Sequence, residues 1–158
     1  MALNSTSCAN NINSAITSYI NTYPSGNFPS AFASAYKTYS QAGVLSAGGG
    51  GAGTEDQSIL EAVLSGGDDF ITAAEFGQAL ADYWSNCMLV PSAGSLSVSN
   101  DASSKVAAFT AAINSSYTTS ESTPYYKAFI DNIEAVAKTI VWTCIKPNPL
   151  PPTLETIS

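Results

Sequence analysis

Four consecutive glycines, Gly48–Gly51, interrupt the chain. No helix or strand runs cheaply through such a stretch, because glycine loses more backbone freedom on ordering than any other residue. Ser46–Gly53, SAGGGGAG, is therefore expected to be a flexible connector or loop tip with helical segments on either side. A phosphate-binding loop is not expected there, since no Gly-Lys-Ser/Thr follows and no strand precedes it.

On the N-terminal side, Cys8, Ile12, Ala15, Ile16, Tyr19 and Ile20 recur at helical spacing and form one apolar stripe. Tyr23–Pro29 breaks that helix, and Pro29 suits the first turn of a second helix carrying Phe32, Ala35, Tyr36 and Tyr39. Beyond the glycines, Thr54-Glu-Asp-Gln57 predicts a capping box and a short helix with Ile59, Leu60, Val63 and Leu64. The next helix begins at Thr72 and carries Phe76, Leu80, Tyr83, Trp84 and Cys87. The alternation Leu96-Ser97-Val98-Ser99 permits a short strand or an extended linker. Helical spacing returns at Val106, Phe109, Ala112 and Ile113. Thr123 and Pro124 then open a segment read as one helix from Tyr125 to Cys144, with a stripe of Phe129, Ile133, Val136, Ala137 and Ile140. Pro147, Pro149, Pro151 and Pro152 predict an extended, polyproline-like end. The expectation is an all-α fold: a bundle of about six helices with a glycine-rich loop and an extended proline-rich C-terminal tail. Residues 1–145 form its helical domain, with sub-groups 1–45 and 54–145, and residues 146–158 form the tail.

Composition removes whole classes of function. The 158 residues include neither histidine nor arginine, and the five basic residues are all lysine. Without histidine there is no Ser-His-Asp or Cys-His catalysis and no imidazole switch. Without arginine there is no bidentate phosphate clamp, and a net charge of −7 repels nucleic acid. Cys8, Cys87 and Cys144 form no CxxC pair, and three cysteines without histidine make a poor zinc site. They are expected as three buried thiols. Trp84 with Cys87 and Trp142 with Cys144 give two similar segment endings, which would bring those two thiols together in an oxidised particle if the endings lay side by side. The N-terminal MALNSTSCANN lacks the basic and apolar regions of a secretory signal, and no apolar run is long enough to span a membrane. Synthesis in a cytoplasm is the expectation, with neither nucleic acid nor membrane as a partner.

One stretch, Gly66–Leu80, contains candidate metal ligands: Asp68, Asp69 and Glu75. With Glu75 as the closing ligand of a calcium loop, Leu64 and Gly66 would occupy the first two ligand positions, and Asp69 the position that requires glycine. The alternative accounts for every residue. Thr72-Ala-Ala-Glu75 is a capping box, Ile71 and Phe76 are its hydrophobic staple, and the two aspartates favour the positive end of the helix. No metal, cofactor or catalytic residue is therefore expected. Trp84, Trp142, Tyr125 and Tyr126 would suit a sugar platform if exposed, but aromatics at helical spacing are expected in the core.

The segments AAEFGQALADYWSNCMLVPSAGSLSV, KVAAFTAAINSSY and AVAKTIVWTC resemble the small alanine-rich helical structural proteins of tailed bacteriophage particles. The resemblance implies a non-enzymatic role in a capsid, neck or tail, with localisation to the virion and no catalytic residues to carry over. The partners it implies are other virion proteins and copies of the chain itself. The expected contact elements are Gly48, Gly49, Gly50 and Gly51 in the loop, and Pro147, Pro149, Pro151 and Pro152 in the tail. A surface-exposed helical module binding glycans or another partner is the competing expectation.

Overall fold

The aromatic stripes of two helices, read from sequence as separate faces, meet in one core. A computed structural model describes residues 3–22, 27–50, 55–66, 71–87, 89–90, 94–116 and 125–158, without the side chains of Ile20, Thr22, Tyr125 and Tyr126. Helix α1 spans Ser5–Thr22 and α2 spans Phe28–Ser40. The Asn27 side chain accepts from Ser30 N–H at 3.1 Å, which satisfies one of the orphan donors at the start of α2. Helix α3, Ser58–Leu64, leads to α4, Ala73–Asn86, which buries Phe76, Leu80, Tyr83 and Trp84. Thr54 lies outside the described residues, and α3 starts instead with the Asp56 carboxylate accepting from Ser58 N–H at 3.0 Å.

Tyr36 of α2 and Trp84 of α4 are the centre of this core. Both are fully buried, their rings stand edge to face with centroids 6.3 Å apart, and the indole N–H donates to the Tyr36 hydroxyl at 3.0 Å. Phe32, Phe76 and Phe129 extend the contact towards the sixth helix, with centroids 5.8 and 5.9 Å apart. Such ring pairs add about 0.5–1.5 kcal/mol each beyond the area they bury. The hydroxyls Ser40 and Tyr83 share a buried hydrogen bond of 2.5 Å, so burial does not leave them unpartnered.

The fold is not all-α. Among the described residues, six helices are joined by a three-stranded antiparallel sheet of strand order β1-β2-β3. Strand β1 is Ser97–Asn100, β2 is Val141–Ile145 and β3 is Thr153–Thr156. Between β1 and β2 lie a 3-10 turn at Ala102–Lys105, helix α5 at Val106–Ser116 and helix α6 at Tyr125–Ala137. The segment expected as one helix to Cys144 therefore stops at Ala137, and its last part is the central strand. Ile140, Val141, Thr143 and Ile145 are β-branched, and such side chains lose rotamer freedom in a helix but fit a pleated surface. Trp142 and Cys144 alternate inward while Ile145 stays exposed, which is the period of a strand with one buried face. Asp101 secures the start of β2: its carboxylate accepts from Val141 N–H at 2.8 Å, and its own N–H donates to the Val141 carbonyl at 3.2 Å.

The proline-rich end is extended, but its last residues are paired. In β3, Thr156, Glu155, Leu154 and Thr153 face Val141, Trp142, Thr143 and Cys144. The far side of β3 is closed by a bridge between Leu45 and Ile157, and Val44 and Ser158 bond each other through their backbones. Ring contact between Trp84 and Trp142, at 6.5 Å, fastens the sheet to α4. The Asn100 side chain adds a bond from its amide to the Trp84 carbonyl at 2.9 Å. Cys8, Cys87 and Cys144 are buried free thiols.

Candidate interaction surface

Most of the exposed large apolar side chains among the described residues gather around the small sheet. Leu96 precedes β1 and is 70% exposed, Ile145 ends β2 at 40%, Leu150 lies in the β2–β3 connection at 61%, and Leu154 in β3 is 72% exposed. Their placement follows from the register. Leu96 N–H donates to the Ile145 carbonyl at 2.7 Å, which joins the first two at one end of the sheet. Leu150 sits in the turn leaving that same end, closed by its N–H to the Pro147 carbonyl at 2.9 Å. Leu154 faces Thr143 across the strands, on the side away from Trp142 and Cys144. Single exposed leucines are ordinary, but a group of them around one element makes a candidate contact surface.

Pro147, Pro149, Pro151 and Pro152 are all exposed around Leu150, so they border this surface. The glycine loop is placed differently. Val44 bridges Gly50, Leu45 N–H donates to the Gly49 carbonyl at 2.6 Å, and Gly48 N–H returns to the Leu45 carbonyl at 2.8 Å. Gly48 and Gly50 take positive φ, 92° and 113°, which glycine adopts without the steric cost borne by other residues. Gly48 is exposed, but Gly49 is buried, and Gly51 lies outside the described residues. What looks like a loose connector in sequence is, through Gly50, a tight turn docked beside β3.

Of the candidate calcium ligands, only Glu75 is among the described residues. Asp68 and Asp69 lie outside the described residues, and Glu75 is engaged in the capping box. Its carboxylate accepts from Thr72 N–H at 2.8 Å, while Thr72 Oγ1 accepts from Glu75 N–H at 3.2 Å. Among the described residues no three acidic or cysteine side chains converge as a metal site. The bonds from Thr72 hold the Glu75 carboxyl below the usual range. Because its folded pKa is depressed, its contribution is present above the ordinary carboxylate pKa and is lost as pH falls through the folded one. Thr72→Ala is accordingly expected to lower Tm by about 2–4 °C at neutral pH. The gap to the parent should narrow in acid, and thermal melts at the two pH values check both parts.

Nor do the thiols offer a nucleophile. Burial, and then the charge of Glu134, raise Cys8 to about 12, and burial with Glu55 raises Cys87 further. A thiol so disposed stays protonated and unreactive. Glu55 itself is 5% exposed, with Oε2 accepting from the Gln41 amide at 2.9 Å and Oε1 unpartnered among the described residues. A cleft of about 380 Å³ between α1 and α2 is lined by Asn4, Ser7, Cys8, Asn11, Thr38 and Gln41, among others. Its polar groups are largely committed: Asn4 caps α1 by accepting from Ser7 N–H at 2.9 Å, and Thr38 donates to the Ser34 carbonyl at 3.0 Å. Trp84 and Trp142 are fully buried and give no face for a sugar. The side chains of Tyr125 and Tyr126 lie outside the described ones.

The sheet-borne surface was only half visible in the sequence. The prolines mark its rim, but Leu96, Ile145 and Leu154 become neighbours only once three distant segments pair. No helix among the described residues is long and apolar enough to cross a membrane. Compared with family models, with curated proteins and with solved structures, the chain matches none.

Proposed function

We propose that this chain is a non-enzymatic structural component of a virus particle, in its capsid, neck or tail, that works through protein–protein contacts. The observation that supports this reading best is the group of exposed apolar side chains, Leu96, Ile145, Leu150 and Leu154, around the sheet and its proline-rich rim. Burying one leucine contributes about 1.5–3 kcal/mol, so a few of them, with the prolines, are enough to anchor a subunit contact. The charged groups of the described residues fit a scaffold equally well. Lys105, Lys127 and Lys138 pair with Asp101, Asp131 and Glu134 on their own helical turns, which leaves them no convergent charged cleft. Other particle proteins and copies of the chain are the partners in this reading, which includes neither nucleic acid nor membrane.

Co-sedimentation of the purified protein with the remaining proteins of its particle tests the proposal. Leu150→Asp combined with Leu154→Asp is expected to reduce co-sedimentation at least about tenfold, because charged groups at a buried contact lose both the apolar gain and their hydration. Both positions are exposed, so Tm should move little. Unchanged co-sedimentation of the double variant, or none with the parent protein, would sink the reading.

A further inference from the structure

The two edges of the sheet are treated in opposite ways. Beside β3, Leu45 bridges Ile157, Ser46 N–H donates to the Thr156 carbonyl at 3.0 Å, and Val44 and Ser158 bond each other, so that edge is closed. Among the described residues, β1 pairs with β2 alone. An open strand edge is a template for another strand, and proteins commonly blunt it with lysine, proline or a bulge. Ser97-Val98-Ser99-Asn100 contains neither lysine nor proline, and these four residues keep one register against β2; the off-register bond from Leu96 N–H to the Ile145 carbonyl lies just before them. The bond from Asp101 N–H to Val141 fixes the alternation: the backbone groups of Ser97 and Ser99 turn towards β2, and those of Val98 and Asn100 turn outward.

We propose that β1 is a self-association strand: a second copy of this chain lays its own β1 antiparallel alongside it, across a two-fold axis at Ser99. In that register Val98 of each copy faces Asn100 of the other, and the outward backbone groups bond in pairs. Ser99 faces Ser99 across the axis. The side chains support a second copy rather than an arbitrary partner. Residues 96–100 carry no charge, so two chains of net charge −7 meet where their repulsion is least. Asp101 is already balanced by Lys105 at 3.2 Å. Leu96, exposed at the start of the seam, gains cover from the same pairing. The inference rests on the assembly reading above and names the second copy as one of its partners.

Sedimentation equilibrium over a wide concentration range tests it. The parent protein is expected to dimerise reversibly. Ser99→Lys changes an exposed side chain on the outer face and sets two like charges opposite each other, which should weaken the dimer about fivefold. Ser99→Glu should do the same, and mixing the two variants should restore association, because opposite charges then meet at the axis. Val98→Pro removes an outward N–H at a position where an edge strand tolerates proline, and should abolish the dimer while lowering Tm, since Val98 also packs against the core. A strict monomer at every concentration, or a dimer indifferent to Ser99→Lys, would overturn the proposal. A parent that stays monomeric yet co-sediments with particle proteins overturns self-pairing alone. A dimer that responds to Ser99→Lys but does not co-sediment supports self-pairing and sinks the virion reading.

Discussion

Trp84→Ala is expected to remove about 4 kcal/mol of stability, the largest loss we foresee for a single substitution in this chain. The indole touches three other rings at once, with centroids 6.3 Å from Tyr36, 5.9 Å from Tyr83 and 6.5 Å from Trp142. Truncation opens a cavity where α2, α4 and the sheet meet, and rigid neighbours on three sides fill it poorly. It also removes the donor to the buried Tyr36 hydroxyl, whose loss adds about 1 kcal/mol of unmet hydrogen bonding. Domains of this kind have about 5–15 kcal/mol in total, so the variant should sit near the limit of folding at room temperature. Urea unfolding followed by far-UV circular dichroism measures the change. Trp84→Phe keeps part of the ring contact while losing the N–H and some bulk, so it should cost less than alanine. A loss below about 2 kcal/mol for alanine would mean that α2, α4 and the sheet do not share this core.

The second large effect is expected at Gly77, in the middle of α4. On propensity alone, Gly77→Ala should stabilise an exposed helix by about 1 kcal/mol. Here the sign reverses, because α5 crosses α4 at this point. A Cβ on residue 77 would lie 2.5 Å from Thr110 Oγ1 and 2.8 Å from the Thr110 backbone nitrogen. The two helices must separate to admit it, and overpacking of a tight contact costs about 1–3 kcal/mol. Gly77→Val should cost more than Gly77→Ala, since branching adds bulk at the same approach. Because one of the two clashes is with backbone, the second change Thr110→Ala should recover only part of the loss. Full recovery in that double variant would show that the Thr110 side chain, not the helix approach, sets the requirement for glycine.

Local chemistry was legible in the sequence, and pairing between distant segments was not. Thr72 and Glu75 lie three apart and sit just before a helical stripe, and that spacing alone is enough to specify the cap seen between them. Phe32, Tyr36 and Tyr39 share one face of α2 at helical spacing, and all three are buried. At the end of α6 the same reasoning fails. Ile133, Ala137 and Ile140 are fully buried and keep helical spacing, so the stripe continues past Ala137, where the helix ends. Neither glycine nor proline stands at Lys138-Thr139 to signal the stop. What decides the conformation of Val141–Ile145 is the pair of strands on either side of it. One lies before α5 and the other after the prolines, and no local window contains both. The contact surface was legible to the same degree. Prolines at 147–152 announce an exposed segment, but the leucines they border are collected only by the sheet. The glycine run misled for a related reason. Its flexibility is intrinsic, whereas its order comes from a strand far away in sequence.

That last separation has a kinetic consequence. The turn around Gly48 meets β3 through the Ala47 N–H, which donates to the buried Glu155 carboxylate at 3.2 Å across 108 residues of chain. The helices need only neighbouring residues to form, and each can appear within microseconds. Closing the sheet edge must instead wait for a search over most of the sequence, and topologies dominated by such distant pairs fold more slowly. During that wait both edges of the sheet are open, and β1 and β3 are equally free to find the wrong neighbour. The speed with which Leu45 finds Ile157 would then set how much newly made chain reaches the native fold and how much is lost to clumping.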